Sequence, residues 1–364
     1  MSSKFKKLTV LLLAITMVFA FTACGGGSSD GGDAEEQETY TLVFSTHLPE
    51  TGVDGASLKA YLEDVEAACD GRLEIEMNFA GSMTKNTETL PAVSSGSVDI
   101  AFVPEGFFSE LYPLSVATIP YTTTSEWVAG KAMDAMFMNY EPWQQMLEEN
   151  NVHYIGAFVP SEVVMVSKSK DIQGFDDLQG LKVRAGGAVA QYMNQLGATA
   201  VALDASEIYE NLNNGTVEAA TAIPVTLATT YKLYEIADYF IFTGMGTYTT
   251  SSLYMNKDVW DSLPEDIQNA FTSVYHDKWM DLYSGEEWMG GELKGDIETI
   301  EGAGKTVTVF SEEEQQKCKD ALASATDDFI AQCDASGFNG QEIVDTYRKY
   351  VEEFSKDDIA YQLY

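Results

Sequence analysis

Short strand patterns alternate with helix patterns along most of this chain, and the alternation begins twice. From Thr39 to Val103 the order is strand, helix, strand, helix, strand, and the first two strands carry apolar residues at every second position. This order favours parallel strands, because two parallel neighbours need a crossover connection, which is usually a helix. A second run of the same kind spans residues 162–247. The sequence therefore predicts an α/β protein with two such units.

The N-terminal residues resemble an export signal. Three lysines precede an apolar run at residues 8–21, which is too short to span a bilayer and is followed by Thr22-Ala23-Cys24, an ending similar to the bacterial lipobox. We predict a signal peptide over residues 1–23 and lipidation of Cys24; an ordinary secretory signal that contains a cysteine is the alternative. Residues 24–38 are rich in Gly, Ser and acids, and this composition predicts a flexible tether to the membrane.

The chain is strongly acidic, with a formal net charge of -36 at pH 7. This charge excludes nucleic acid as a partner, because a nucleic-acid site needs clustered positive charge. An anionic ligand would need a local site that overcomes the repulsive background. Solubility is the alternative explanation for most of the acidity.

The sequence lacks the residue patterns of common catalytic and metal sites. The three histidines, His47, His153 and His276, are far apart, and there is no G-x-S-x-G, H-E-x-x-H or P-loop motif. We therefore predict a protein that is not an enzyme, that uses no cofactor and that has no assigned metal ligand; whether a metal ion assists ligand binding is left open. Cys318 and Cys333 are predicted to be buried free thiols, with a disulfide between them as the alternative.

One of the three arginines lies where the ligands of α/β sheets collect. Arg184 ends a predicted strand and is followed by Gly186-Gly187 at the start of a helix. A helix N-terminus contributes positive potential there, and a guanidinium offers a planar fork that matches a carboxylate. Arg184 is therefore predicted to hold a ligand carboxylate, with an ion pair to an acidic neighbour as the alternative. Arg72 and Arg348 are predicted to be surface charges.

The residues around Arg184 resemble the DctP-type solute-binding proteins of TRAP (tripartite ATP-independent periplasmic) transporters. The matching segments in this half are residues 175–184 (FDDLQGLKVR), 196–198 (LGA), 206–209 (SEIY) and 214–215 (NG). In the first half they are residues 71–75 (GRLEI), 96–101 (GSVDIA), 112–114 (YPL) and 119–121 (IPY). The resemblance covers nearly all of the chain after the tether.

The resemblance implies a two-domain periplasmic-binding-protein-like (type II) fold with a cleft between the domains and a long hinge helix. The chain would cross between the domains near residues 160 and 249, and again along residues 264–300. The implied division is residues 39–161 plus 248–288 for domain I, and residues 162–247 plus 289–364 for domain II.

The implied function is that of an extracytoplasmic solute-binding lipoprotein that binds a small organic acid between its domains. It would deliver the ligand to one small and one large membrane subunit of a transporter driven by an ion gradient. The protein would sit at the outer face of the cell membrane, or in the periplasm of a host with an outer membrane. A solute-binding protein of an ATP-driven importer and a sensory protein that presents its ligand to a receptor are the alternatives.

The resemblance also implies which residues line the ligand. Arg184 would form the salt bridge to its carboxylate. Ile223 and Gly187 stand where the family often has polar contacts, so the chain lacks two side-chain hydrogen-bond partners there. A monocarboxylate with a less polar tail is therefore favoured, with a C4-dicarboxylate as the alternative. The remaining predicted ligand contacts, each with a structural role as its alternative, are His47, Phe102, Glu105, Phe107, Phe158, Ser161 and Tyr248.

Overall fold

The computed structural model describes residues 38–203, 205–247, 249–284 and 288–360. In this part of the chain the strands form two mixed sheets, one of five strands and one of six, which we call the first and the second sheet. The predicted signal peptide, the lipidation site Cys24, nearly all of the predicted tether and Tyr248 lie outside the described residues.

The first sheet contains β1 (Tyr40–Ser45), β2 (Leu73–Asn78), β3 (Ile100–Pro104), β4 (Val152–Ala157) and β10 (Ser251–Asn256). Their order across the sheet is β2-β1-β3-β10-β4. β1 is parallel to β2 and β3, as the strand-helix alternation predicts. β10 runs antiparallel between β3 and β4.

The second sheet contains β5 (Val163–Ser167), β6 (Lys182–Arg184), β7 (Thr199–Val201), β8 (Ala219–Pro224), β9 (Tyr239–Phe242) and β11 (Thr306–Val309). Their order is β11-β9-β5-β8-β6-β7. β6 is parallel to β7 and to β8, and β9 is parallel to β11. β5 is antiparallel to both of its neighbours, β8 and β9.

The antiparallel strands β5 and β10 correct the prediction of parallel strands throughout. Each of them is the first strand after the chain changes sheet, through residues 158–162 and residues 243–250. The chain leaves one sheet at the edge where its parallel strands end and enters the other sheet at the corresponding edge. The entering strand must therefore run against its neighbours, and the strand ends of both sheets lie beside the two crossings.

The helices in the described residues connect and cover these strands. Their bounds are α1 (Val53–Ala68), α2 (Thr89–Ser94), α3 (Glu126–Asn139), α4 (Glu141–Glu149), α5 (Gly187–Gln195), α6 (Ile208–Asn213), α7 (Val225–Thr230), α8 (Lys257–Ser262), α9 (Glu265–Val274), α10 (Met280–Ser284), α11 (Met289–Gly302), α12 (Glu312–Ala321), α13 (Ala325–Ala335) and α14 (Gly340–Phe354).

Side-chain caps start four of the helices in the described residues. Ser125, Asn256, Ser311 and Asn339 each accept a hydrogen bond from the backbone N–H three residues later. In α12 the Glu314 carboxylate accepts the backbone N–H of Phe175. That bond connects α12 to the loop that precedes β6.

The predicted hinge helix over residues 264–300 is divided into segments. α9 continues into one π-helical turn, Tyr275–Trp279, and then into α10. Trp288, which precedes α11, has φ -117° and ψ -86°, outside the helical region. A π-turn inserts one residue into the helix, so the ladder of hydrogen bonds changes register at Tyr275.

Each sheet is covered by apolar side chains on both faces. One face of the first sheet packs against α1 and the π-turn, and the other packs against α3. The faces of the second sheet pack against α5 and α12 on one side and against α7 and α11 on the other. These layers place both sheets in the interior and leave their strand ends to form surfaces.

The C-terminal helices α13 and α14 pack in the layer of the first sheet. Phe329, Val344 and Tyr347 are buried in the same cluster as Phe137 of α3. The apolar face of α14 therefore completes the core beside α3.

Candidate functional site

The two crossings run side by side and hold the strand ends of both sheets together. The backbone N–H of Phe158 donates to the carbonyl of Ser251 at 2.8 Å, where the crossings meet the first sheet. Where they meet the second sheet, the N–H of Val163 donates to the carbonyl of Gly246 at 3.0 Å. Any side chain that follows β1, β3, β4, β6 or β8 is therefore placed near these crossings.

Arg184 is the last residue of β6, and it is only 7% exposed. Its Nε donates to the carbonyl of Leu203 at 3.0 Å, and its Nη1 donates to the carbonyls of Thr221 at 3.0 Å and Ala222 at 3.4 Å. These carbonyls come from the ends of β7 and β8 and fix the plane of the guanidinium. They are neutral acceptors that orient the side chain.

Ala222 has a strained backbone beside this arginine. Its φ is +60°, in the left-handed region that non-glycine residues rarely adopt. The pairing of β5 with β8 shifts its register between Val164 and Val166, opposite the same stretch of β8. Strain of this kind persists where the surrounding structure imposes it, and here it accompanies a carbonyl that accepts from the Arg184 guanidinium.

The start of α5 is formed by two glycines beside Arg184. Gly186 is the N-cap residue and has no side chain to offer, so the first N–H groups of the helix receive no side-chain cap. Gly187 is exposed and has φ +55°, and a Cβ placed there would meet no atom within 4 Å. The structure thus has an open helix N-terminus three residues after the arginine, as the sequence predicts.

Aromatic rings follow the strand ends of the first sheet. The rings of His47 and Phe102 have centroids 6.2 Å apart at an interplanar angle of 30°. Phe102 then contacts Phe158 edge to face at 6.0 Å. Phe158 in turn packs against Tyr61, Tyr275 and Tyr283, so the row is continuous with the core. We call His47, Phe102 and Phe158 the aromatic wall.

The imidazole of His47 is neutral at pH 7. Burial lowers the pKa of His47 to about 4, because desolvation disfavours the charged ring. In the described residues its Nδ1 is buried and has no hydrogen-bond partner. A neutral imidazole carries one donor and one acceptor nitrogen, so this atom can serve a ligand in either tautomer.

Glu105 and Phe107 follow β3, and the structure places them in opposite environments. Glu105 is fully buried and accepts a hydrogen bond from the Tyr254 hydroxyl at 2.9 Å. Burial raises the pKa of Glu105 to about 7. Phe107 is 56% exposed, so its ring faces solvent at the edge of the sheet.

A buried carboxyl lies at the start of α3, and the sequence analysis missed it. Burial raises the pKa of Glu126 to about 8, and the nearby carboxyls of Asp358 and Glu162 add to the shift. Glu162 stands in the first crossing, next to Ser161, whose Oγ is buried and has no partner in the described residues. In the sequence, Glu126 is an acid at the first position of an apolar helical segment. An acid at that position is ordinarily exposed, so the pattern did not indicate a buried carboxyl.

One predicted contact, Ile223, packs away from this group in the described structure, and another lies outside the described residues. Ile223 is 1% exposed, and its side chain packs in the core cluster with Val164 and Phe242. Tyr248 lies outside the described residues. The residues that hold Arg184 could not be predicted either. Leu203, Thr221 and Ala222 contribute backbone carbonyls, which every residue type has.

Three further features of the described residues concern metal binding, membrane crossing and the cysteines. No group of three or more His, Cys, Asp and Glu side chains there could hold a metal ion. Among the helices of those same residues, none combines the length and apolar character needed to cross a bilayer. Cys318 and Cys333 are free and buried, which confirms the prediction of free thiols.

The family of bacterial extracellular solute-binding proteins, family 7 (DctP), matches residues 44–332. The outer membrane transporter protein TsaT of Comamonas testosteroni is 26% identical over 326 residues, which are 86% of this chain and 93% of that protein. The ectoine/5-hydroxyectoine-binding periplasmic protein UehA of Ruegeria pomeroyi is 23% identical over 339 residues, 89% of this chain and 94% of that protein.

The fold is similar to that of a solved TRAP solute-binding protein from Rhodoferax ferrireducens in complex with copurified benzoate. The TM-score is 0.77 at 20% sequence identity, and the match covers 88% of this chain and 99% of that one. This likeness confirms the predicted fold class, an α/β periplasmic-binding-protein-like fold. The boundaries predicted for the two domains stay a prediction.

Proposed function

The chain belongs to the bacterial extracellular solute-binding proteins of family 7, and from this premise we propose that it is the receptor of a TRAP-type transporter for a small organic acid. The observation that carries the proposal is Arg184, a buried guanidinium whose plane is fixed by backbone carbonyls at the strand ends of the second sheet. A fixed guanidinium is pre-organised for two parallel hydrogen bonds to a carboxylate.

The surroundings of Arg184 support an anionic ligand. The open N-terminus of α5 at Gly187 adds positive potential, which favours a carboxylate beside the guanidinium. The benzoate in the Rhodoferax ferrireducens protein is such an acid. The two crossings at residues 158–162 and 243–250 would let domain I and domain II close on the ligand. A receptor does no chemistry on its ligand, so we expect the bound acid to be released unchanged.

Calorimetry on a single substitution tests the role of Arg184. Arg184→Ala should lower the affinity for the natural acid by about tenfold or more, because a charge-assisted bond to a carboxylate contributes about 1.5–3 kcal/mol. Arg348→Ala is the matched control, since Arg348 lies on α14 and donates to Thr326. Unchanged affinity in a folded Arg184→Ala protein would remove this residue from the site.

A thermal-shift screen over organic acids identifies the ligand. An acid that binds only the folded state raises the melting temperature in proportion to the logarithm of its concentration. We expect a monocarboxylate among the hits. A library in which no organic acid shifts the melting temperature, while a neutral solute does, would overturn the proposal.

We further propose that Cys24 carries a lipid anchor and that one small and one large membrane subunit accept the ligand. The support for the anchor is the apolar run before Thr22-Ala23-Cys24 and the Gly-rich stretch after it. Metabolic labelling with a clickable fatty acid should mark the wild-type protein and not a Cys24→Ala variant. Labelling of both proteins, or of neither, would contradict the anchor at Cys24.

A further inference from the structure

We propose that the ligand is a hydroxylated aromatic monocarboxylate whose ring lies against the aromatic wall and whose hydroxyl bonds His47. This inference rests on the proposed function and deepens it: Arg184 holds the carboxylate, and the strand ends of the first sheet select the rest of the molecule.

The charges at the two strand edges are unequal, and this asymmetry argues for a single carboxylate. The second sheet contributes the guanidinium of Arg184. None of the residues 46–48, 105–107 and 158–162, which directly follow β1, β3 and β4, is Lys or Arg. A second carboxylate on the ligand would meet neutral rings and the carboxyl of Glu105 there, and burying it without a cation is unfavourable.

The shape of the first-sheet edge argues for a ring. Phe102 and Phe158 are held edge to face by rings behind them, so their orientation is fixed before a ligand arrives. A flat aromatic ring can stack on or meet the edge of such rings, and aromatic pairs add to the favourable burial of apolar area. An aliphatic chain of the same length gains the burial without the ring geometry.

Two polar atoms without partners argue for a hydroxyl on that ring. In the described residues, the buried Nδ1 of His47 and the buried Oγ of Ser161 accept and donate no hydrogen bond. Buried polar groups are normally paired, and an orphan atom is costly to keep. A phenol both donates and accepts, so it fits a neutral imidazole in either tautomer.

Calorimetry with a panel of acids tests the proposal on the whole protein. The panel is benzoate, the three hydroxybenzoates, cyclohexanecarboxylate, pyruvate and succinate. We expect one hydroxybenzoate to bind at least tenfold more tightly than benzoate, and benzoate at least tenfold more tightly than cyclohexanecarboxylate. If pyruvate or succinate binds tightest, the inference fails and the organic-acid receptor stands; if no organic acid binds, both fail.

Substitution of His47 separates hydrogen bonding from packing. His47→Phe should reduce the preference for the hydroxybenzoate over benzoate to about one, because phenylalanine keeps a ring at this position but no hydrogen-bonding nitrogen. His153→Phe is the matched control, because His153 is also buried and neutral but stacks on Trp260 at the other end of β4. A preference that survives His47→Phe would overturn the role of His47.

Substitution of the wall separates ring stacking from simple burial. Phe158→Leu should lower the affinity for benzoate about tenfold more than that for cyclohexanecarboxylate. Phe271→Leu, a buried phenylalanine behind Trp260 in the same core, is the control for loss of stability alone. Equal losses for both acids in Phe158→Leu would show that the wall is only core.

Discussion

At the scale of single residues, the proposed function depends on a guanidinium whose position comes from main-chain atoms. The sequence placed Arg184 correctly at a strand end before two glycines, because this pattern is local. It could not show the carbonyls of Leu203, Thr221 and Ala222 that fix the side chain. These contacts depend on how β7 and β8 lie beside β6, and any residue type can supply a carbonyl.

Gly187 offers a test of whether the site can be made more polar. Gly187→Asn should destabilise the protein by less than about 1 kcal/mol, because asparagine tolerates a positive φ and the space is open. Gly187→Val should cost about 1–2 kcal/mol or more, since a β-branched residue is strained at this φ. Urea unfolding checks both values, and equal costs for the two variants would contradict the backbone argument.

Glu126 should make stability depend on pH. Burial raises the pKa of Glu126 from its ordinary value of 4.5 to about 8 in the folded protein, so the folded state binds a proton that the unfolded state releases. The free energy of unfolding should therefore fall as pH rises from about 4.5 to about 8, by up to about 1.4 kcal/mol per pH unit from this group. Glu105, whose pKa is also raised, adds a slope of the same sign.

Unfolding at several pH values isolates the contribution of Glu126. Between pH 6 and pH 8, the free energy of unfolding of a Glu126→Gln variant should fall less steeply with pH than that of the wild type. Glu141→Gln is the control, because Glu141 is exposed at the first position of α4. Parallel slopes for Glu126→Gln and the wild type would show that Glu126 titrates normally.

At the scale of elements, the π-turn is tied to the first crossing. The hydroxyl of Tyr275 accepts the N–H of Ala157 and donates to its carbonyl, both at 2.8 Å. Gly156 leaves room for the ring, since a Cβ there would clash with it. Ala157 is the last residue of β4, so the π-turn is hydrogen-bonded to the strand immediately before the chain leaves the first sheet.

Tyr275→Phe should weaken this connection. The variant leaves the N–H and the carbonyl of Ala157 without their side-chain partner in a buried position, which should cost about 1–3 kcal/mol. Chemical denaturation measures the loss, and Tyr350→Phe on α14 should cost much less. A Tyr275→Phe protein as stable as the wild type would mean that water or a shift of the strand replaces the hydroxyl.

Elements that depend on local interactions could be predicted from the sequence, and features that depend on contacts between distant segments could not. The alternation of strands and helices in residues 39–103 and 162–247 was predicted correctly, because apolar periodicity is local. The antiparallel direction of β5 and β10 depends on the change of sheet, which no short window of sequence records. The π-turn was missed because one inserted residue hardly alters the helical pattern of Tyr275 and Trp279.

At the scale of the whole molecule, the net charge of -36 opposes the approach of an anion. Salt screens this repulsion, so the association rate constant of an anionic ligand should rise by about two- to tenfold between 20 and 200 mM salt. Stopped-flow fluorescence at constant pH measures it. A rate that falls with added salt would mean that the local field of Arg184 and α5 dominates the encounter.

The position of α14 has a consequence for how the protein is made. The layer of the first sheet lacks the side chains of Val344 and Tyr347 until almost the whole chain has left the ribosome. Contacts between such distant parts of a sequence close slowly, because a long loop must be ordered first. We therefore expect the core beside α3 to stay open in the nascent chain until α14 has been synthesised.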